Sequence, residues 1–272
     1  MSSGRAGLTH AVVSLPALDL RRRPDHASEM RSQLLMGEVV RRLAASGNGA
    51  WWRVENLADD YRGWVRTWGL VPCTGSRAKR WLARARAQVV DPIVAARAQR
   101  GGRLGAGPLF WNARVIAGPR RGGMRSVEFP DGRRAWVAAT ALGPVGKAHR
   151  PLIERVRELQ GVPYLWGGRT PAGIDCSGFV QQLLFEQGVH VPRDAQLQYR
   201  ASRSVPRAAP EQEGQLLFFG LPRRPVAHVA LVLGGGYFVH ARGWVRINSV
   251  ESANPLYDRA LMAQFRGRRA VS

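Results

Sequence analysis

The stretch RTPAGIDCSGFVQQLLFEQG, from Arg169 to Gly188, admits few conformations. Pro171 and Gly173 keep its first third out of a helix: proline lacks the amide donor, and glycine loses the most entropy on ordering. Beyond Asp175 the apolar residues Phe179, Val180, Leu183 and Leu184 recur at the spacing of one helical face. Gly188 supplies a stop. The helix must begin beside Asp175, which puts Cys176 in its first turn. Unpaired N–H groups and the macrodipole at a helix start favour a thiolate, and a thiolate attacks where a thiol barely does. A buried structural cysteine would fit the same position, so the chemistry turns on whether a base comes near.

The chain has six histidines, and His228 and His240 share the segment VAHVALVLGGGYFVHA. With Gly234–Gly236 as its loop, this hairpin pairs Leu233 with Tyr237 and sets His240 opposite Ala230, on the same sheet face as His228. Diagonal cross-strand neighbours lie roughly 7–8 Å apart. A slip of one residue would send His240 to the other face. Two imidazoles on one face can act as a base and as the group that orients it. One cysteine and two histidines are also three zinc ligands, but no fourth is evident; no metal and no cofactor is expected.

The rest of the chain reads as two strand-rich segments and one mixed segment. Asn48-Gly49 and Asp131-Gly132 are hairpin signals, and Trp51, Trp52, Val54, Trp64 and Val65 suit a pleated, half-buried surface. DGRRAWV in the second segment echoes DDYRGWV in the first, which predicts a degenerate repeat of one small barrel. GSRAKRWLARARAQVV, between them, has helical character. PLIERVRELQG is a short helix, and the strands that follow the Cys176 helix predict an α+β domain. The expected boundaries are a tail at 1–9, a first barrel at 10–75, a linker at 76–87, a second barrel at 88–146 and the α+β domain at 147–272.

The net charge of +22 rests almost wholly on arginine, since Lys79 and Lys147 are the only lysines. No zinc-finger spacing or RNA-recognition signature accompanies it, so the expectation is diffuse basicity without a specific nucleic-acid partner. Such a field attracts acidic molecules in a salt-dependent way. Cys73 and Cys176 form no disulfide framework, and Cys73 is given no role. The N-terminus lacks the basic and apolar regions of a signal peptide, and no run approaches the ~18 apolar residues of a membrane span. A cytoplasmic monomer is expected, with export left open.

Residues 150–272 resemble the NlpC/p60 family of papain-like cysteine peptidases, which cut bacterial cell-wall peptides. PYLWGGRTPAGIDCSGFVQ looks like its nucleophile motif, VPRDA like its next block and AHVALVLGGGYFVHA like its base-bearing hairpin. Residues 10–145 look like two bacterial SH3-type barrels. The resemblance implies a papain-like α+β catalytic domain preceded by two small all-β SH3-like barrels. It implies Cys176 as nucleophile, His228 as general base and His240 as the orienting residue. It places Tyr164, Asp175 and Ser177 at the site and makes Asp194 a holder of the substrate's free amine. Where relatives often carry serine after that aspartate, this chain has Ala195. Relatives of this layout cleave the γ-D-glutamyl–diamino acid bond of murein peptides with a free N-terminal L-alanine. Their first barrel contacts that amine, which points to Tyr61 of YRGWV and to Glu29 of SEM. An amidase or acyltransferase of the same fold, or a wall-binding protein without catalysis, are the competing readings.

Overall fold

The computed structural model describes residues 7–102 and 105–271, which separate into two compact units, Met1–His149 and Arg150–Ser272. Among the described residues no helix is long and apolar enough to cross a membrane.

The first unit contains two barrels of the same design. In the first, β1 (His10–Val13), β2 (Ala17–Arg21), β3 (Met30–Leu35), β4 (Val39–Ala45), β5 (Trp51–Asn56), β6 (Arg62–Arg66) and β7 (Leu70–Cys73) run in the spatial order β3-β2-β6-β5-β4-β1-β7. A helix, α1 (Gly75–Arg84), follows. The second barrel comprises β8 (Ala87–Val89), β9 (Ile93–Arg97), β10 (Gly105–Phe110), β11 (Arg114–Arg121), β12 (Met124–Glu128), β13 (Arg134–Ala138) and β14 (Leu142–Pro144). Its order, β10-β9-β13-β12-β11-β8-β14, is the first order with every strand advanced by seven. The echo between DDYRGWV and DGRRAWV falls on the turns before β6 and β13. There Asp60 at φ 56° and Gly132 at φ 85° adopt the left-handed conformation at equivalent places. Gly and Asp are residue types that tolerate it.

The segment SEMRSQLLMGEVVRRLAASG passes for a helix by composition but folds as β3 and β4. Gly37, at φ 85°, makes the turn between them. That turn is also the joint between the barrels. Met36 is buried in the core of the second barrel, and its carbonyl accepts from Arg114 N at 2.9 Å. Trp81 of α1 donates its Nε1–H to the Gly37 carbonyl at 2.9 Å. Trp81 and Ala78 pack with Val12, Val39 and Cys73 of the first barrel, so Cys73 is core there.

In the second unit α2 (Leu152–Leu159) precedes a small hairpin of β15 (Arg169–Thr170) and β16 (Gly173–Ile174). Then come α3 (Cys176–Glu186), α4 (Ala195–Ala201), β17 (Arg203–Ser204), β18 (Leu216–Phe219), β19 (His228–Gly234), β20 (Tyr237–Arg242), β21 (Trp244–Ser249), α5 (Arg259–Met262) and β22 (Phe265–Ala270). A six-stranded sheet runs in the order β17-β22-β18-β19-β20-β21 and carries α3 on β19 and β20. Phe179, Val180, Leu183 and Leu184 all sit at 2 % exposure or less, as their spacing requires. The other faces of α3 are buried as well, through polar partners. Glu186 receives Arg155 of α2 at 2.9 and 2.7 Å, and Gln182 donates to the Arg169 carbonyl at 3.1 Å.

Candidate active site

Cys176 is the first residue of α3, and Asp175 is its N-cap. The hairpin β15–β16 delivers the chain to this point, since its Pro171 turn cannot continue as helix. Asp175 Oδ1 accepts from Gly178 N at 2.7 Å, closing the first turn, and Oδ2 accepts from Gly167 N at 2.8 Å. Arg193, 1 % exposed, grips the same carboxylate with Nη1 at 2.9 Å and Nη2 at 2.6 Å. Nη1 also donates to Ser177 Oγ at 3.0 Å. The carboxylate oxygens of Asp175 and the hydroxyl of Ser177 are thus turned to the protein. They fix the loop-to-helix junction on which the cysteine stands.

The surroundings of Cys176 oppose the thiolate that a bare helix start would favour. Burial and then the Asp175 carboxylate push the Cys176 thiol up to about 12, against smaller opposing effects of the Val229 and Ser177 N–H groups and of Arg193. The helix start does carry unpaired N–H groups, but an anion from the protein already occupies it. A second anion beside it in a dry setting is unfavourable.

The hairpin β19–β20 pairs Leu231 with Val239 and Val232 with Phe238, the register expected from sequence for the stretch bearing the histidines. The turn itself is tighter than expected. Gly234 pairs with Tyr237, leaving Gly235-Gly236 as the loop and Leu233 as a bulge. His228 Nε2 lies 2.7 Å from His240 Nδ1, with the ring centroids 5.0 Å apart. The Val229 N–H reaches the Cys176 sulfur, which brings β19, the strand that His228 begins, to the cysteine. On the far side, His240 Nε2 lies 2.9 Å from Asn248 Oδ1 of β21. Burial first, then the His240 ring and the guanidinia of Arg242 and Arg246, lower His228 to about 3. Burial also lowers His240, to about 4, against an upward pull from Asn248. At neutral pH both rings are uncharged, so the site rests as thiol and imidazole.

Tyr164 precedes this centre in the chain, and its N–H donates to the Gly243 carbonyl at 2.8 Å. Burial, then the charges that Cys176 and Asp175 can carry, raise its hydroxyl above the usual tyrosine range. It remains an O–H donor throughout the physiological range. Asp194 is the N-cap residue of α4, yet its side chain makes no capping bond to that helix. Tyr61 and Glu29 lie in the other unit. The Tyr61 ring is 8 % exposed in the first barrel's core, with the Arg31 guanidinium 5.2 Å from its centroid. Glu29 is 3.8 Å from Arg22. Their part in substrate binding stands on the resemblance alone.

Two residues of this centre went unread in the sequence. Arg193 sits inside the VPRDA block beside Asp194, and a buried arginine needs a carboxylate; the aspartate before the cysteine was the partner to seek. Asn248 follows Arg246 by two on β21, and pairing across the Gly243 turn would have put both on the His240 face. Among the described residues no group of three or more His, Cys, Asp or Glu side chains is placed to hold a metal ion.

Residues 161–266 match the NlpC/P60 family, and residues 20–70 match the bacterial dipeptidyl-peptidase Sh3 domain. The chain is 36% identical over 106 residues to the gamma-D-glutamyl-L-lysine dipeptidyl-peptidase of Bacillus subtilis, covering 38% of this chain and 36% of that enzyme. It is 36% identical over 113 residues to a probable endopeptidase of Haemophilus influenzae, covering 40% of this chain and 68% of that protein. The chain thus spans about a third of the length of the curated dipeptidyl-peptidases it matches, and two thirds of the shorter endopeptidase. Among solved structures it is similar in fold to an NlpC/P60 family protein of Bacillus cereus. That match has a TM-score of 0.79 at 22% identity and covers 96% of this chain and 99% of that one.

Proposed function

The chain belongs to the NlpC/P60 family, and from that premise we propose that it is a cysteine endopeptidase of cell-wall peptides, with Cys176, His228 and His240 as its triad. The observation that carries this reading is the 2.7 Å contact between the His228 and His240 rings, with His228 on the strand whose Val229 N–H reaches the sulfur of the first residue of α3.

The resting state sets the order of events. A thiol and a neutral imidazole form no ion pair, so the proton leaves Cys176 as sulfur attacks the carbonyl carbon. His228 Nδ1 takes that proton, because Nε2 is engaged with His240. The tetrahedral oxyanion forms at the start of α3, where the Cys176 N–H and the Tyr164 O–H are the donors proposed to meet it. His228 then gives its proton to the leaving amine as the C–N bond breaks, which leaves a thioester. Water, deprotonated by the same nitrogen, hydrolyses it and restores the thiol.

The bond proposed is that between D-glutamate, through its γ-carboxyl, and a diamino acid, in a peptide with a free N-terminal L-alanine. Asp194, a half-buried carboxylate at the head of α4, is the proposed partner of the amine. Incubation with L-Ala-γ-D-Glu-diaminopimelate, followed by mass spectrometry, should release L-Ala-γ-D-Glu. Cys176→Ala should release none, and His228→Ala should lose on the order of 10²–10⁴-fold in kcat. N-acetylation of the alanine should abolish cleavage. Cleavage by the Cys176→Ala protein, or equal cleavage of the acetylated peptide, would overturn the assignment.

A further inference from the structure

Two side chains of β21 approach a single atom, His240 Nε2. Asn248 Oδ1 lies 2.9 Å away, and Arg246 Nε lies 3.4 Å away with its hydrogen directed at the ring nitrogen. One is an acceptor and the other a donor. An imidazole nitrogen carries either a hydrogen or a lone pair, so it can satisfy only one of them.

The orientation of Asn248 decides which. Its Nδ2 donates to the Leu256 carbonyl at 2.5 Å, and that carbonyl is held in place by Ser249 N at 3.1 Å. Rotating the amide by half a turn would set oxygen against oxygen there. The amide oxygen therefore faces His240, and Nε2 must carry the hydrogen. Nδ1 of His240 is then bare and accepts from His228 Nε2–H across 2.7 Å. That in turn leaves His228 Nδ1 bare, on the side of the ring away from His240. Asp258 adds a restraint: its Oδ2 receives Arg246 Nη2 at 3.1 Å and Arg242 Nη1 at 3.0 Å, which holds the guanidinium at the longer distance.

We propose that Asn248 is a positioning residue that fixes the proton direction of the whole His240–His228 relay, so that the base lone pair faces Cys176, and that Arg246 is poised to hold the reverse, inactive tautomer. The inference rests on the triad reading above. Without the Asn248 oxygen, Arg246 Nε–H is the remaining partner for His240 Nε2. The hydrogen of His240 would then move to Nδ1 and point at His228 Nε2. His228 would be forced to carry its own hydrogen on Nδ1, toward the thiol, where it cannot accept a proton.

The test uses the full chain labelled with [15N]histidine, whose long-range proton–nitrogen correlations distinguish the two tautomers. In the wild type, His228 and His240 should both show the Nε2–H pattern, with assignments taken from His228→Gln and His240→Gln. Asn248→Leu should move His240 to the Nδ1–H pattern. It should also lower kcat by on the order of 10²–10⁴-fold with little change in KM. Asn248→Asp retains an acceptor oxygen toward His240 and should keep the wild-type tautomer, at a cost in stability because its second oxygen faces the Leu256 carbonyl in place of the Nδ2–H donor. Adding Arg246→Met to Asn248→Leu removes the competing donor and should restore part of the rate. If Asn248→Leu does not fold, Asn248→Ala removes the acceptor with a shorter side chain in the same space.

An unchanged His240 tautomer in Asn248→Leu or Asn248→Ala would overturn the proposal, as would a fall in kcat with no tautomer change. Alkylation of Cys176 by iodoacetamide, read by peptide mass spectrometry, needs no peptide substrate. A wild type that cuts no peptide, with the tautomer shift and slowed alkylation still present in the variant, would sink the peptidase reading and leave this one standing.

Discussion

Arg193→Met tests the account of the loop-to-helix junction. The substitution removes the guanidinium and leaves the Asp175 carboxylate buried, with Gly178 N and Gly167 N as its remaining donors beside the Ser177 hydroxyl at 3.3 Å. Removing one partner from a buried, hydrogen-bonded ion pair costs about 3–5 kcal/mol, mostly because the other charge stays buried. The second unit lies between the size classes for which 1 kcal/mol shifts melting by about 4–8 °C and about 2–4 °C. At about 4 °C per kcal/mol, its transition should fall by roughly 12–20 °C. Arg193→Met with Asp175→Asn removes the orphaned charge while keeping an N-cap acceptor, because asparagine caps about as well as aspartate. That pair should recover more than half of the loss. The thiol gives a second readout, since Asp175 raises Cys176 and Arg193 lowers it. Iodoacetamide at pH 8 should react more slowly with Arg193→Met than with wild type, and faster with the double variant. Differential scanning calorimetry of the full chain, run beside the alkylation rates, checks both. A single variant melting within about 4 °C of wild type would refute the reasoning. So would a double variant no more stable than the single.

Three further outcomes follow from the same structure. With the Cys176 thiol at about 12, alkylation of the wild type should climb by about tenfold per pH unit from pH 6 to 9; a fast plateau across that range would mean a resting ion pair. His228 and His240 bind fewer protons folded, at about 3 and about 4, than at the ordinary 6.5. Stability should therefore fall as pH drops through 6.5 toward those values, and His240→Gln should shrink the difference between urea midpoints at pH 7.5 and 4.5. In the first unit, a Cβ on Gly37 would sit 2.2 Å from the Arg114 carbonyl oxygen at a φ of +85°. Gly37→Ala should lower the melting of that unit by at least 2 kcal/mol equivalent, of order the cost of strain plus overpacking, whereas Gly49→Ala, with open space around it, should lose only the cost of its φ.

What could be read in the sequence followed from local rules with a single solution. Pro171 and Gly173 on one side and Gly188 on the other left α3 one place to start and one to stop. In the glycine hairpin, strict alternation tied His228 and His240 to one face, so the bulge at Leu233 changed the turn without moving the histidines out of register. The barrels announced themselves through paired hairpin turns, and the identical strand order of the two sheets shows why the weak echo around Asp60 and Gly132 carried real information. The composition of β3 and β4 would suit a helix as well, but the hairpin signals around the segment favoured strands, and long-range pairing and the turn at Gly37 make them so.

The thiolate expectation failed for a different reason, and the failure bears on mechanism. A helix start is an anion site only when no anion of the protein already fills it. Asp175 is adjacent to Cys176 in sequence, but its capping role and its capture by Arg193, from a loop 18 residues downstream, appear only in three dimensions. Burial first and that carboxylate second outweigh the help that the Ser177 N–H at the helix start still gives the sulfur. On the proposed mechanism activation comes from a base that accepts the proton during attack, which makes the protonation pattern of His228 the controlling quantity. In the proposed relay that pattern is set two side chains away, at Asn248, on an edge strand whose alternation marks only burial. The proposed mechanism thus makes this cysteine depend less on the field at its helix than on the direction in which a short chain of hydrogen bonds is locked.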